Sequence, residues 1–131
     1  MRTLTILGFG VVLLMIAGQA LRAQSEPYTP KKNSPERKTI LDAVRKYRKA
    51  SNEVYTPTGL NVLKGWAYVS ARDPSDPDVD TEAIEIILHK TGKTWKVVDE
   101  ISHVEGSNYE KEVKRIRKRF PSIPSVIFRN T

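Results

Sequence analysis

The chain contains no cysteine. A disulfide scaffold, a thiol nucleophile and any zinc or iron–sulfur site with cysteine ligands are therefore excluded. Histidine is almost as scarce, because only two occur in 131 residues, so three histidines of one chain cannot share a metal ion. No sequence motif calls for a cofactor, and we expect none.

Motifs for catalysis are also lacking. The sequence has no Gly-x-Ser-x-Gly turn, which would present a serine nucleophile. Asp99 and Glu100 are neighbours on a predicted strand and therefore point to opposite faces, so they cannot flank one bond as the paired carboxylates of glycosidases do. We therefore expect a protein that is not an enzyme.

Acidic residues are outnumbered by basic ones. The chain has 15 Asp and Glu against 22 Lys and Arg, and its formal net charge is +7. An excess of positive charge favours anionic partners. The composition of 39% apolar and 28% charged residues is typical of one folded domain and is too apolar for a wholly disordered chain.

The beginning of the chain has the pattern of a signal peptide, which we assign to residues 1–23. Arg2 precedes an apolar run over residues 4–17, and cleavage is plausible after Ala20 or Ala23. The run is shorter than the ~20 residues that span a bilayer, although an uncleaved anchor is the alternative. We therefore expect a periplasmic or secreted bacterial protein, and export argues against nucleic acid as its partner.

After the signal peptide we predict a flexible leader over residues 24–33 and a single α+β domain over residues 34–131. Ser34-Pro35-Glu36 has the cap, proline and acid that open a helix, which should end near residues 51–52. Leu41 lies off its apolar stripe. The residues predicted to be buried by this helix are Ile40, Ala43, Val44, Tyr47 and Ala50.

A second helix is predicted over residues 108–120. A capping box, Ser107-x-x-Glu110, opens it and Pro121 ends it. Its narrow apolar seam consists of Tyr109, Val113, Ile116 and Phe120. The apolar tail Val126-Ile127-Phe128 should cover a sheet edge or the core.

Between the helices the pattern predicts four strands. They cover residues 55–63, 66–72, 82–90 and 94–103. Tight-turn signals at Lys64-Gly65 and Thr91-Gly92-Lys93 require antiparallel neighbours. The sequence therefore predicts an α+β fold in which the N-terminal and C-terminal helices cover the apolar face of a four-stranded antiparallel sheet.

A helix followed by an antiparallel meander resembles the cystatin-like and NTF2-like arrangement. The run from Gly92 to Val98 is similar to the Gly-x-Trp-x-hydrophobic hairpin of NTF2-like proteins. Residues 34–46, 63–73, 89–100 and 119–128 together resemble a group of small exported bacterial proteins of unassigned function. This resemblance implies export and the fold, and it carries no catalytic residue.

The large aromatic residues of the sheet suggest a candidate pocket. Trp66 and Tyr68 share a face, and with Trp95 they either form core or line a concave apolar cavity on a curved sheet. An NTF2-like small-molecule site or enzyme would need a carboxylate or histidine in that cavity. Asp99 and His103 are the candidates for this role.

The second helix carries the densest positive charge. A shared face is formed by Lys111, Lys114, Arg115 and Lys118. Such a stripe attracts anionic partners, including an anionic membrane or envelope surface. The alternative is a solvated helix face supported by ion pairs within the helix.

An acidic loop alternates carboxylates at Asp76, Asp78 and Asp80. A calcium-binding EF-hand would need glycine and glutamate where this chain has Thr81 and Ile87, so a solvated hairpin loop is favoured.

Metal binding by the strands would need His89 and His103 together with Asp99, without the spacing of a known motif. A protein inhibitor or immunity factor could instead use the loop at residues 73–80. Taken together, the sequence predicts an exported, non-enzymatic binding protein. Its partner is an unidentified protein or an anionic ligand, and its oligomeric state is left open.

Overall fold

A computed structural model describes residues 26–49, 56–72 and 84–129. The elements in chain order are helix α1 (Pro35–Arg48), strands β1 (Thr56–Leu63), β2 (Trp66–Arg72), β3 (Ile84–Thr91) and β4 (Thr94–Glu100), helix α2 (Tyr109–Arg119) and a 3₁₀ helix (Ser125–Phe128). All neighbouring strands are antiparallel, in the order β1-β2-β3-β4. The predicted α+β class and four-stranded antiparallel sheet are confirmed. Within these residues, no helix is long and apolar enough to cross a membrane.

The two helices pack on opposite faces of the sheet. The first core lies between α1 and the sheet and includes Ile40, Val44, Val62, Val69, Ile86, Leu88 and Trp95. The second core lies under α2 and the 3₁₀ helix and includes Leu63, Trp66, Tyr68, Ile87, Ile116, Ile127 and Phe128. The expectation of one covered face is therefore corrected to two covered faces. The finer cystatin-like or NTF2-like arrangement stays a prediction.

Helix α1 begins as predicted but ends earlier. The Ser34 hydroxyl accepts a hydrogen bond from the Arg37 N–H at 3.2 Å, and Lys49 ends the helix in the left-handed conformation with φ of 56°. Leu41, which was predicted to lie off the apolar stripe, is buried, whereas Tyr47 is 47% exposed. Tyr47 lies beside β4, at the edge of the sheet, where no further strand is present in the described residues to cover it.

Helix α2 is capped by Asn108 and not by the predicted Ser107. The Asn108 side chain accepts hydrogen bonds from the N–H groups of Glu110 and Lys111 at 2.8 and 3.3 Å. The Ser107 hydroxyl instead donates to the Ser102 carbonyl at 2.9 Å. Asn108 replaces Ser107 as the cap because it immediately precedes the first turn, where the unpaired N–H groups are.

Both predicted tight turns are present. Lys64 and Gly65 have φ of 50° and 76°, and this positive pair is the geometry of the two-residue turn that matches strand twist. Thr91 pairs with Thr94 across the second turn, in which only Gly92 has positive φ, at 62°. Each turn therefore joins strands that pair directly with each other.

A β-bulge interrupts the pairing of β3 with β4. Leu88 pairs with Val97 but Ile87 pairs with Asp99, which leaves Val98 as the extra residue. The bulge turns both Val98 and Asp99 toward α2, since Val98 packs on the second core and Asp99 bonds to α2. Strand β4 also ends at Glu100, so His103 lies beyond it.

The ends of the described chain are tied to β1. The Tyr28 backbone exchanges two hydrogen bonds with Val62, at 3.0 and 2.8 Å, so the predicted leader pairs with the sheet at this point. The buried Asn61 side chain donates to the carbonyls of Ile127 and Arg129 at 3.0 and 2.8 Å. The apolar tail therefore covers the core, one of the two placements that the sequence left open.

Asn61 should contribute strongly to stability. We expect Asn61→Ala to lower the free energy of unfolding by about 1–3 kcal/mol, because it leaves carbonyls of the tail without a donor. Urea denaturation measures this loss. The control Thr58→Ala removes an exposed hydroxyl contact to Ser70 and should change stability by less than about 0.5 kcal/mol. Equal effects of the two substitutions would contradict a special role for Asn61.

Candidate functional site

A groove of about 640 Å³ lies between α1 and β4. One face of α1 forms one wall, because residues three and four positions apart lie on one side of a helix. Residues 93–97, from the second turn into β4, form the other wall. The groove is lined by Thr39, Asp42, Ala43, Lys46, Tyr47, Lys93, Thr94, Trp95, Lys96 and Val97.

The floor of the groove is apolar and its rim is basic. Trp95 is 5% exposed and packs into the first core, while Tyr47 is 47% exposed and offers its ring to the groove. Lys46, Lys93 and Lys96 are exposed and have no ion pair or hydrogen bond to a side chain in the described part of the chain. An apolar floor with unpaired cations around it fits an anionic ligand that has an apolar part.

Asp42 is the only carboxylate among the described residues that line the groove, and it is already neutralised. Asp42 accepts from Lys38 at 3.0 Å and from Arg45 at 2.7 Å. These contacts, the hydrogen bond from Lys38 first, hold the pKa of Asp42 below its usual value. The lysines on the rim therefore set the sign of the charge that the groove presents.

The predicted basic stripe on α2 is divided by the structure. Arg115 does not belong to a free anion-binding face, because its guanidinium bonds both oxygens of Asp99 at 3.0 Å and Glu112 at 2.9 Å. It also donates to the Glu100 carbonyl at 3.1 Å. Arg119 adds a contact to Asp99 at 3.3 Å. We call this arrangement of Arg115, Asp99 and Glu112 the Arg115 clamp.

The clamp also explains why Asp99 is not an open catalytic carboxylate. Its side chain is 9% exposed. Burial is the largest single influence and on its own would raise the pKa of Asp99. The hydrogen bonds from Arg115 and from the Glu100 N–H, together with the charges of Arg115 and Arg119, outweigh burial and hold the pKa below its usual value. Asp99 is therefore an ionised partner of α2 and is held away from the groove.

The three aromatic candidates do not line one pocket. Trp66 and Tyr68 lie in the second core, whereas Trp95 lies in the first core on the opposite face. The Trp66 ring stacks on His89, with their ring centroids 4.1 Å apart. The expectation of a shared cavity on the sheet face is therefore corrected, because side chains and helices fill both faces, and only Trp95 reaches the groove.

His103 belongs to a polar network that strand patterns alone do not predict. Its Nε2 lies 2.9 Å from a Glu85 carboxylate oxygen, and the Tyr68 hydroxyl donates to the other oxygen. Burial, together with this bond to Glu85, raises the pKa of Tyr68. His89 stacks on Trp66 and does not join His103. In the described residues, no group of three His, Asp or Glu side chains could hold a metal ion.

Four sequence hypotheses fall outside the described residues. They are the signal peptide at residues 1–23, the burial of Ala50, the calcium alternative at Asp76, Asp78 and Asp80, and the inhibitor loop at residues 73–80. The sequence pattern does not predict the groove, since it places Tyr47 on the buried stripe of α1. A sequence signal for it exists in the two lysines that bracket Trp95 in the hairpin Gly92-Lys93-Thr94-Trp95-Lys96.

Comparison with known proteins adds no family assignment. No protein-family model, curated protein or solved structure matches the chain. The resemblance to small exported bacterial proteins therefore stays a prediction from the sequence.

The Arg115 clamp should be a stabilising contact that depends on the ionised Asp99. We expect Arg115→Met to lower the free energy of unfolding at neutral pH by about 1–2 kcal/mol, a modest loss because the Arg115 side chain is 44% exposed. An acid with a lowered pKa stabilises the fold above its ordinary pKa and loses this effect as pH falls through the lowered value.

The difference between Arg115→Met and the unmodified protein should therefore shrink as the pH falls below about 4. Urea denaturation over a pH series measures it. The neighbouring Lys114→Met, which removes an exposed cation with no partner in the described residues, should change stability by less than about 0.5 kcal/mol at every pH. A pH-independent loss in Arg115→Met would show that packing, and not the ion pair, is responsible.

Proposed function

We propose that this protein is an exported, non-enzymatic binding protein whose groove between α1 and β4 takes an anionic ligand with an apolar part. The observation that carries the proposal is the combination of an open groove, an exposed Tyr47 and a Trp95 in its lining, and rim lysines without an ion pair in the described residues. The signal-peptide pattern of residues 1–23 supports export.

The edge of the sheet is a better ligand site than either of its faces. Ile40 and Val44 of α1 fill the first face, and Ile116 of α2 with Ile127 fills the second, and all four are 0% exposed. The residues named as candidates for catalysis, Asp99 and His103, are each bonded to other side chains on the α2 side of the sheet. Binding in the groove needs neither of them.

The lysines should determine the affinity for an anion in the groove. The probe is anilinonaphthalene sulfonate, which joins a negative charge to an aromatic body and fluoresces when it leaves water. We expect Lys46→Glu and Lys93→Glu each to weaken its binding by at least about fivefold, because each loses one exposed charge contact and gains a repulsion. Fluorescence titration at low and high salt measures this, and added salt should weaken binding.

The matched control for this titration is Lys118→Glu. It makes the same change of charge on α2, on the other side of the sheet, and should leave the affinity for the probe within about twofold because salt screens distant charges. If Lys46→Glu and Lys118→Glu weaken binding equally, the groove is not the site.

A second candidate surface lies on α2. Once Arg115 is held in the clamp, Lys111, Lys114 and Lys118 are exposed and have no ion pair within the described residues. Their spacing of three and four residues keeps them on one side of the helix. Three free cations in a row favour peripheral contact with an anionic membrane or envelope surface.

Vesicles of phosphatidylcholine and phosphatidylglycerol test this surface by co-sedimentation. We expect the double variant Lys111→Glu and Lys114→Glu to lose about fivefold in vesicle binding for each lysine. The double variant Lys46→Glu and Lys93→Glu has the same net charge and should lose much less. Equal losses would mean that net charge alone drives the contact.

A further inference from the structure

Strand β4 is an edge strand of the sheet formed by the described residues. The other edge, on β1, is paired at one point, because Tyr28 exchanges two backbone hydrogen bonds with Val62. No described segment pairs in the same way with the outer side of β4. An open edge presents backbone donors and acceptors that can take up another extended chain.

The register of the hairpin shows which groups are available at this edge. Thr91 and Thr94 are paired across a two-residue turn and therefore exchange backbone hydrogen bonds. Hydrogen-bonded and non-hydrogen-bonded pairs alternate along an antiparallel ladder. The N–H and C=O groups of Trp95 and Val97 consequently point away from β3, along the wall of the groove.

The positive charges on the two sides of β4 favour an added strand that is acidic. On the α1 side, a chain beside Trp95 and Val97 would meet Lys46 and Tyr47 across the groove. Lys96 also borders the groove, and because it alternates with Trp95 and Val97 along β4, its side chain starts from the opposite face of the strand. An added strand presents side chains to both faces, and an acidic strand would meet cations on each.

We propose that the groove takes an extended acidic peptide segment, which adds to β4 as a fifth strand. The proposal rests on the proposed function and specifies the ligand class for the same groove. A second copy of this chain is the less suitable occupant. Pairing β4 with another β4 about Lys96 would place the Lys96 side chains of the two copies opposite each other, and like charges across strands repel.

Two peptides, which differ only in their backbone N–H groups, distinguish the addition of a strand to β4 from simple anion binding. The probe is a short fluorescent peptide of alternating glutamate and valine. The control is the same peptide methylated at every inner amide nitrogen. Methylation keeps the charge and the side chains but removes the backbone donors. We expect the methylated peptide to bind at least about tenfold more weakly in fluorescence anisotropy.

Lys96 provides the second, independent readout. Lys96→Glu should weaken binding of the unmethylated peptide by about fivefold, because an added acidic strand would lose one charge contact beside β4 and gain a repulsion. Lys118→Glu should alter neither the affinity for the peptide nor the affinity for anilinonaphthalene sulfonate. Unfolding midpoints of the variants in urea, equal to that of the unmodified protein, verify that the loss is local.

The outcomes distinguish this inference from the proposed function. If the sulfonate binds through Lys46 and Lys93 but both peptides bind equally, or neither binds, strand addition is wrong and the anion groove stands. If Lys96→Glu leaves peptide affinity unchanged, strand addition is also wrong. If neither the sulfonate nor any peptide binds, both proposals fail. A stable dimer in solution that the peptide does not dissociate would show that a second copy occupies β4.

Discussion

The fold depends on a sheet that is apolar on both of its faces. Residues 66–69 of β2 and residues 86–88 of β3 are buried without interruption, so neither face of these central strands can be left to water. Each of the two helices is apolar along one stripe only and covers one face. Both helices are thereby used as walls of the core, which leaves the edges and the outer helix faces for interaction with other molecules.

The groove follows from how α1 sits on this sheet. Ile40, Leu41 and Val44 pack on the first face, and the adjoining side of the helix, which carries Ala43 and Tyr47, lies beside β4. Tyr47 and Lys46 therefore stand beside β4 with no strand beneath them in the described residues, and the gap becomes the groove. Lysines at a sheet edge also discourage pairing between copies, so the same charges that repel another β4 attract an acidic partner.

On the other face of the sheet, the bulge in β4 explains why Asp99, a predicted pocket residue, instead bonds to α2. The extra residue Val98 turns Asp99 toward α2, where the guanidinium of Arg115 binds both of its oxygens. The spacing of residues along α2 places Arg115 in a continuous basic stripe. A helical projection cannot show that Asp99 of the neighbouring strand lies opposite Arg115. The clamp removes one charge from the stripe and fastens α2 to the edge strand, while the flanking lysines stay exposed.

The sequence by itself determined the helices, the strands and the two tight turns, because each depends on local chemistry: the Ser34 cap, the strand propensity of residues 66–72, and the positive φ of Gly65. The tertiary structure alone decided which face each helix covers, where the bulge falls and which cations are neutralised. These depend on contacts between residues far apart in the chain. For this reason Tyr47 could be predicted to lie on the apolar stripe of a helix, and only the packed sheet shows that it borders an open groove.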